Sequence, residues 1–370
     1  MTARIHVFIG TKAQLIKMGP VMRLLQDRGI SYRFIHSGQH QETMQDLIAN
    51  FGIKSPDVIL HTGRDITGIV QMLLWAAKIL FRGFFKPAWL WGSREKGYVL
   101  NHGDTFSTLL GTLLARLHGH QAVHVESGLR SFNFFHPFPE EITRVITMRL
   151  STLAFAPGDW AAANLQKTGC EVVNTQENTL LDSTRLHLAV AAKPGLRPEG
   201  PYGLASIHRF ENIFDKARLA WIVEQLVLCS QNRRLLFILH KPTRLKLEQG
   251  GLLARLEQCP GIELRPRYDH IDFLHLVSGA DVVITDGGSN QEECHYLGKP
   301  CLIMRAHSER LEGLDANAVL ARYDAAIIAG FMREPQRYQR PSLLERGISP
   351  SRVIVASLEA RLFARQSCSS

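Results

Sequence analysis

The feature that most constrains this chain is an alternation of short apolar runs with helical patterns, present twice and interrupted once. In the first half, Ile5–Ile9, Tyr32–Ile35, Tyr98–Leu100, Ala122–Val125 and Leu153–Ala156 read as buried strands. Between them, Gln14–Asp27, Gln41–Phe51, Ser107–Leu117, Glu140–Leu150 and Trp160–Lys167 carry apolar residues at helical spacing. Runs this short and this rich in Val, Ile and Leu predict strands covered on both faces, which means a parallel sheet between layers of helices.

Residues 181–201 break the pattern with Lys193-Pro194-Gly195, Pro198, Gly200 and Pro201, and predict a linker. The alternation then restarts. Leu204–Ile207, Leu235–Leu239, Ile262–Leu264, Val282–Thr285 and Cys301–Met304 predict strands, and Phe214–Cys229, Pro242–Leu256, Ile271–Ser278 and Gln291–Leu297 predict helices. At 370 residues the chain is too long for one ordinary core. The fold expected is α/β, with two doubly wound Rossmann-like domains, 1–180 and 202–349, facing across a cleft. A last helix over 350–365, with Ser349 as N-cap and Pro350 at its first position, is expected to rejoin the first domain. In such folds ligands bind outside the carboxyl ends of the strands.

Composition narrows the function. Lys and Arg number 43 against 34 Asp and Glu, a formal charge of +9 that suits an anionic partner. The basic residues are scattered and no nucleic-acid module is recognisable, so nucleic acid is a poor account of that charge. Cys170, Cys229, Cys259, Cys294, Cys301 and Cys368 form no CxxC pair, so neither a structural metal site nor a disulfide framework is expected. Cys294 reads as core. No signal-like segment precedes Ile5 and no uncharged apolar run reaches the length of a bilayer span, so a cytoplasmic setting is expected.

Polar clusters fall where strands should end. Gly10-Thr11-Lys12, with Lys17 further along the helix, is either an anion-binding turn or a plain βα turn with solvated lysines. Asp104 in Asn101-His102-Gly103-Asp104-Thr105 reads as a functional carboxylate or an N-cap. Glu126 in His124-Val125-Glu126-Ser127-Gly128-Leu129-Arg130, then Glu140, Glu141 and Arg144 after Pro137-Phe138-Pro139, place acids and a cation at neighbouring strand ends. Carboxylates converging there are expected to repel one another, a setting that raises a pKa toward neutrality and suits acid–base work. In the second half, His208-Arg209 follows one strand, and Asp286-Gly287-Gly288-Ser289-Asn290-Gln291-Glu292-Glu293 follows another. Strand, glycine turn and helix form a cradle for phosphate oxygens. Either Glu292 or Glu293 could take ribose hydroxyls, and helix-end electrostatics is the plain account of Glu292.

In this order the clusters resemble the non-hydrolysing UDP-N-acetylglucosamine 2-epimerase family. Ser37-Gly38-Gln39-His40, His208-Arg209 with Glu211-Asn212, Gln291-Glu292-Glu293, Leu297-Gly298-Lys299-Pro300 and Glu309-Arg310 with Glu312-Gly313 complete the series. The resemblance implies a GT-B fold and epimerisation at C2 of a UDP-N-acetylhexosamine by loss and return of UDP, for surface polysaccharide precursors. It implies no cofactor and no metal. By motif match, Asp104, Glu126 and Glu140 would handle the C2 proton and neighbouring hydroxyls, while Arg144 and a cationic His208 would help UDP leave. Lys12, Lys17, Arg209, Gly287, Gly288, Ser289, Glu292, Glu293 and Arg305 would hold the nucleotide sugar.

The chain departs from the family at several positions. Lys12 replaces the usual Arg, Gln14 a usual Glu, Gly287-Gly288-Ser289 the usual Ser-Gly-Gly, and Ala306-His307 a polar pair. The largest departure is Ile69–Trp91, which holds Trp75, Trp89 and Trp91, and in which Lys78, Arg82 and Lys86 recur every four residues. A basic stripe on an apolar, aromatic helix suits contact with a membrane surface, with a homodimer interface or a helix packed on its own domain as the other accounts. This segment also motivates an alternative function, a GT-B glycosyltransferase using a membrane lipid-linked acceptor. A non-catalytic nucleotide-sugar-binding protein is the third reading.

Overall fold

The structure is a computed structural model, and it describes residues 4–40, 44–63, 65–66, 68–134 and 138–367. Gln41, Pro137 and Cys368 lie outside the described residues. The chain divides into two compact units, Met1–Ser183 with Gly347–Ser370, and Thr184–Arg346.

The first unit carries a seven-stranded sheet. Its strands are β1 (Ile5–Ile9), β2 (Tyr32–His36), β3 (Val58–Ile59), β4 (Tyr98–His102), β5 (Gln121–Val125), β6 (Leu153–Ala156) and β7 (Glu171–Asn174), in the order β3-β2-β1-β4-β5-β6-β7. All pairings are parallel, with Ile5 opposite both Tyr32 and Tyr98. Successive side chains point to opposite faces, so Val7 joins one apolar cluster and Phe8 the other.

The second unit has β8 (Gly203–Ser206), β9 (Leu235–Leu239), β10 (Ile262–Pro266), β11 (Val282–Thr285), β12 (Cys301–Ile303) and β13 (Ala318–Leu320). Their order is β10-β9-β8-β11-β12-β13, again parallel throughout. In both sheets the strand order reverses beside the first strand, between β1 and β4 and between β8 and β11, and polar residues gather at the carboxyl ends there.

Several local expectations need correction. The expected linker 181–201 begins inside a helix, Leu180–Leu188, whose Leu181 is fully buried. Beyond that helix the Pro- and Gly-rich part is irregular, as its composition requires. The expected helix 242–256 is two helices, Lys241–Gln249 and Leu253–Glu257, because Gly250-Gly251 ends the first with Gly251 at φ +67°. The last helix, Pro350–Ser367, packs Ile354, Val355 and Leu358 into the core of the first unit, and Asp182 accepts from the Ser351 amide at 2.8 Å. The 69–91 stretch forms two helices, Ile69–Phe85 and Pro87–Trp91.

Candidate functional site

In the first unit the turn after β1 leads into the helix Lys12–Asp27 through a capping box. The Gln14 amide donates to Thr11 Oγ1 at 3.3 Å, and the Gln14 side chain accepts from the Gly10 and Thr11 amides at 2.9 and 3.1 Å. Two amides of the expected anion-binding turn are therefore already satisfied. Gln14 also donates to the His102 carbonyl at 2.7 Å and Thr108 Oγ1 at 2.9 Å, tying this helix to the end of β4. A Glu here could make neither donation, which gives the Gln-for-Glu departure a structural reason. Lys12 opens the helix, half-buried.

Glu126 follows β5 and is 8% exposed, with its backbone at φ +61°, a left-handed conformation uncommon for a residue bearing a side chain. Lys17, reaching from the neighbouring helix, pairs with its Oε2, and Asn178 Nδ2 donates to the same oxygen. His102 Nε2 stands 3.7 Å from that oxygen. Burial brings His102 down to about 4; Glu126 opposes the shift and Lys17 adds to it, so His102 is neutral at physiological pH. His124 is likewise brought to about 4 by burial, and its ring is held by the Gly103 carbonyl and Ser127 Oγ, each at 2.8 Å. A left-handed backbone bearing a buried, cation-paired carboxylate at a strand end makes Glu126 a candidate functional position.

Asp104 is paired with Arg144, Oδ2 to Nη2 at 2.5 Å, and its side chain is a quarter exposed. Arg144 also reaches Glu141 at 3.3 Å, and Glu141 accepts from Arg130 Nε at 2.5 Å and the Ser131 amide at 3.0 Å. Burial alone would raise the Glu141 carboxyl, but these donors and charges hold it below its ordinary value. Glu140 opens the helix Glu140–Leu150, half-buried, and Thr143 Oγ1 bonds to the Asp104 and Glu140 carbonyls. This corrects the expectation of mutually repelling carboxylates: Asp104 and Glu126 each face a cation, because Arg144 and Lys17 project from adjoining helices onto the same edge. Asn178, which the sequence reading passed over, belongs to the cluster. Its signal was a polar residue just past β7, at the carboxyl edge shared by the other site residues.

In the second unit Asp286, fully buried after β11, organises the turn after β8. Its carboxylate accepts from the His208 amide at 2.9 Å, the Arg209 amide at 2.9 Å and Asn212 Nδ2 at 2.8 Å. Burial pushes this carboxyl up, against those donors, which favour its charged form. His208 stacks on His240 with ring centroids 4.5 Å apart. Burial, then like charge from Arg209 and Arg267, brings His208 to about 4. Without a diphosphate beside it, His208 is therefore held in its neutral form.

Gly287 and Gly288 let charged and aromatic side chains approach the backbone closely. A Cβ on Gly287 would lie 2.9 Å from His208 Cε1, and one on Gly288 would lie 2.9 Å from Arg310 Nε and 3.5 Å from Arg209 Nη2. The helix Gly288–Leu297 thus starts against an imidazole and two guanidiniums, with Ser289 half-buried in its first turn.

The structure separates the two adjacent glutamates. Glu292 is fully buried against Arg310, Oε2 to Nη1 at 2.9 Å, with the Tyr296 hydroxyl donating to Oε1 at 3.4 Å. Its carboxylate is thus held by partners within the second unit. Glu293 meets His270 Nε2 through Oε1 at 2.7 Å, and His270 in turn meets His187 at 2.8 Å. Glu293 Oε2 is buried and has no hydrogen-bond partner among the described residues. Arg305, expected to contact the nucleotide, is spent on Glu211 at 2.8 Å and Glu309 at 2.9 Å. Burial alone would raise Glu309, yet Arg305 first and Arg209 next hold it at about 2, so the arginine is locked in place. Among the described residues no group of three or more His, Cys, Asp or Glu could hold a metal ion.

Two doubly wound units with polar residues at the carboxyl edges beside each strand-order reversal define an α/β protein of GT-B type. A family model described as UDP-N-acetylglucosamine 2-epimerase matches residues 22–347. The chain is 33% identical over 340 residues to a UDP-N-acetylglucosamine 2-epimerase of Methanococcus maripaludis, covering 87% of this chain and 88% of that one. It is 32% identical over 322 residues to a UDP-2,3-diacetamido-2,3-dideoxy-D-glucuronate 2-epimerase of Pseudomonas aeruginosa, covering 84% and 85%. The crystal structure of a Methanocaldococcus jannaschii UDP-GlcNAc 2-epimerase in complex with UDP-GlcNAc and UDP matches with TM-score 0.80 and 27% identity, over 95% of this chain and 98% of that one. The chain belongs to the UDP-N-acetylglucosamine 2-epimerase family.

Proposed function

We propose that the chain is an isomerase that inverts C2 of a UDP-N-acetylhexosamine, interconverting UDP-GlcNAc and UDP-ManNAc, in the cytoplasm. In the forward step a base removes the C2 proton, the C2–H electron pair becomes the C1=C2 double bond of a 2-acetamidoglucal, and the C1–O bond breaks to release UDP. In the return step a proton reaches C2 from the opposite face and the UDP oxygen re-forms its bond to C1.

The observation that carries this reading is the paired carboxylate set of the first unit. Asp104 is a quarter exposed beside Arg144, which supports a role for it in meeting substrate, and Glu126 is fixed by Lys17 and Asn178. Positioned carboxylates of this kind do general acid–base work on a weakly acidic carbon when the leaving group is strongly stabilised. We assign Glu140, at the first turn of its helix, to the neighbouring hydroxyls, and Arg144 and Lys12 to substrate charge.

In the second unit we assign the diphosphate to the Gly287-Gly288-Ser289 turn with Arg209, and ribose hydroxyls to the buried, unpartnered Oε2 of Glu293. His208 is neutral without ligand, and two phosphate charges beside it favour its protonated form, so it gains its cationic role as UDP departs.

The glycosyltransferase reading is not favoured, since the relatives carry epimerase names. Incubation with UDP-GlcNAc, with and without a polyprenyl-linked acceptor, tests the choice. The manno epimer should form at the same rate in both. Sugar appearing on the lipid with no epimer formed would overturn the proposal.

A further inference from the structure

The helix Ile69–Phe85 is apolar on two sides, and the chemistry above uses neither. One side is core: Trp75, Ala76 and Ile79 pack with Leu110 and Leu114, and Trp75 Nε1 donates to the Ser37 carbonyl at 3.3 Å. The helix is further pinned by Arg82, whose Nη1 donates to the Leu60 carbonyl at 3.2 Å while its guanidinium lies over Trp89, 5.4 Å from the ring centroid.

The other side is a continuous stripe. Val70, Leu73, Leu74, Ala77, Phe81, Phe84 and Phe85 recur at the three- and four-residue steps that keep one face of a helix. All of them are exposed; Leu74 is 68% exposed, Phe81 66% and Phe85 64%. The Phe81 ring lies tilted against Phe85 and the Phe84 ring meets it edge to face, and Leu117, at the end of the helix Phe106–Leu117, is a further exposed apolar residue. A patch of large apolar side chains of this extent marks an interaction surface.

Charge selects the partner. Between Asp65 and Glu95 the sequence contains no acidic residue, while Lys78, Arg82 and Lys86 lie on or beside the stripe. Lys78 and Lys86 are exposed and have no ion-pair partner among the described residues. A second copy of the chain docked by a two-fold axis would bring the same cations against the same face, with no acid in the segment to meet them. A bilayer with anionic headgroups supplies the negative charge that a second copy lacks, together with hydrocarbon for the phenylalanines. Trp89, with its ring under the Arg82 guanidinium, suits the headgroup boundary. Among the described residues no helix is long and apolar enough to cross a membrane, so the helix would lie along the surface.

We propose that the exposed face of the helix Ile69–Phe85 docks the protein on anionic phospholipid membranes, independently of the reaction. Flotation of the full chain with phosphatidylcholine vesicles, with and without phosphatidylglycerol, tests this. Binding should require phosphatidylglycerol, weaken with added salt, and fall about fivefold for each cation removed in the Lys78→Ala/Lys86→Ala variant. Phe81→Ser/Phe85→Ser should abolish it, with circular dichroism unchanged in both variants. Absence of vesicle binding, or equal binding to both vesicle types, overturns the proposal. So does a concentration-dependent dimer that Phe81→Ser/Phe85→Ser dissociates in a protein that binds no vesicles, because a second copy would then be the occupant.

Discussion

Replacing Lys17 with Met strips the cation from a carboxylate that cannot reach bulk water. The Lys17 and Glu126 side chains are each 5% exposed. An exposed ion pair contributes about 0–1 kcal/mol, whereas removing one partner of a buried pair costs about 3–5 kcal/mol through the charge left behind. Two features of the site place the cost toward the lower end. Asn178 still donates to Glu126, and His102, 3.7 Å away, is freed from the Lys17 charge that helps keep it neutral.

We therefore expect Lys17→Met to destabilise the first unit by about 3 kcal/mol. Glu126→Gln in the same chain removes the stranded charge, so the double variant should be about 1–3 kcal/mol more stable than the sum of the single effects. Urea unfolding followed by tryptophan fluorescence reads this unit, because four of the five tryptophans, Trp75, Trp89, Trp91 and Trp160, belong to it. A Lys17→Met cost below about 1 kcal/mol, or strict additivity in the double variant, would refute a buried, charge-compensated pair.

Three further outcomes follow from the geometry. Asp286→Ala releases the His208 and Arg209 amides and should lower kcat/KM on the order of 100-fold; steady-state kinetics showing wild-type turnover would contradict its positioning role. Glu293→Gln should weaken UDP binding about tenfold in calorimetry with little effect on stability, while Glu292→Gln should mainly lower the melting temperature by disturbing Arg310; equal binding losses would be the wrong result. His102 and His124 are each held at about 4 against an ordinary 6.5, so the unfolded chain binds protons that the native one refuses. Their contribution is complete above pH 6.5 and is lost as pH falls toward 4, by about 3 kcal/mol each, so urea midpoints should drop across that window rather than hold level.

What the sequence made legible was the periodic part. The runs at Ile5, Tyr98, Leu235 and Val282 are strands because they are buried on both faces, and a continuous apolar run is how such strands read. The missed strands lack that signature: β3 has two residues, β13 has three, and β7 is an edge strand whose residues are half-buried or exposed. The candidate residues next to long strands could be located at strand ends for the same reason.

Their pairings were not legible, because Lys17 and Glu126 stand 109 positions apart and no local pattern joins them. Nor could sequence choose between Glu292 and Glu293. Neighbours on a helix point about 100° apart, and only the positions of Arg310 and His270 decide which carboxylate is taken and which keeps an unpartnered oxygen. The 69–91 segment was legible as unusual but not as divided. Trp75 and Ile79 turn inward while Leu74 and Phe81 turn outward, a split that follows from where Leu110 and Leu114 lie.

The proposed reaction turns on proton exchange at C2, which we assign to the carboxylates of the first unit. Proton nuclear magnetic resonance of UDP-GlcNAc incubated with the protein in deuterated water reads that step directly. Both epimers should carry deuterium at C2, and Asp104→Asn and Glu126→Gln should slow its uptake without preventing UDP binding. A product pool with hydrogen retained at C2, or variants that exchange at the wild-type rate, would contradict it.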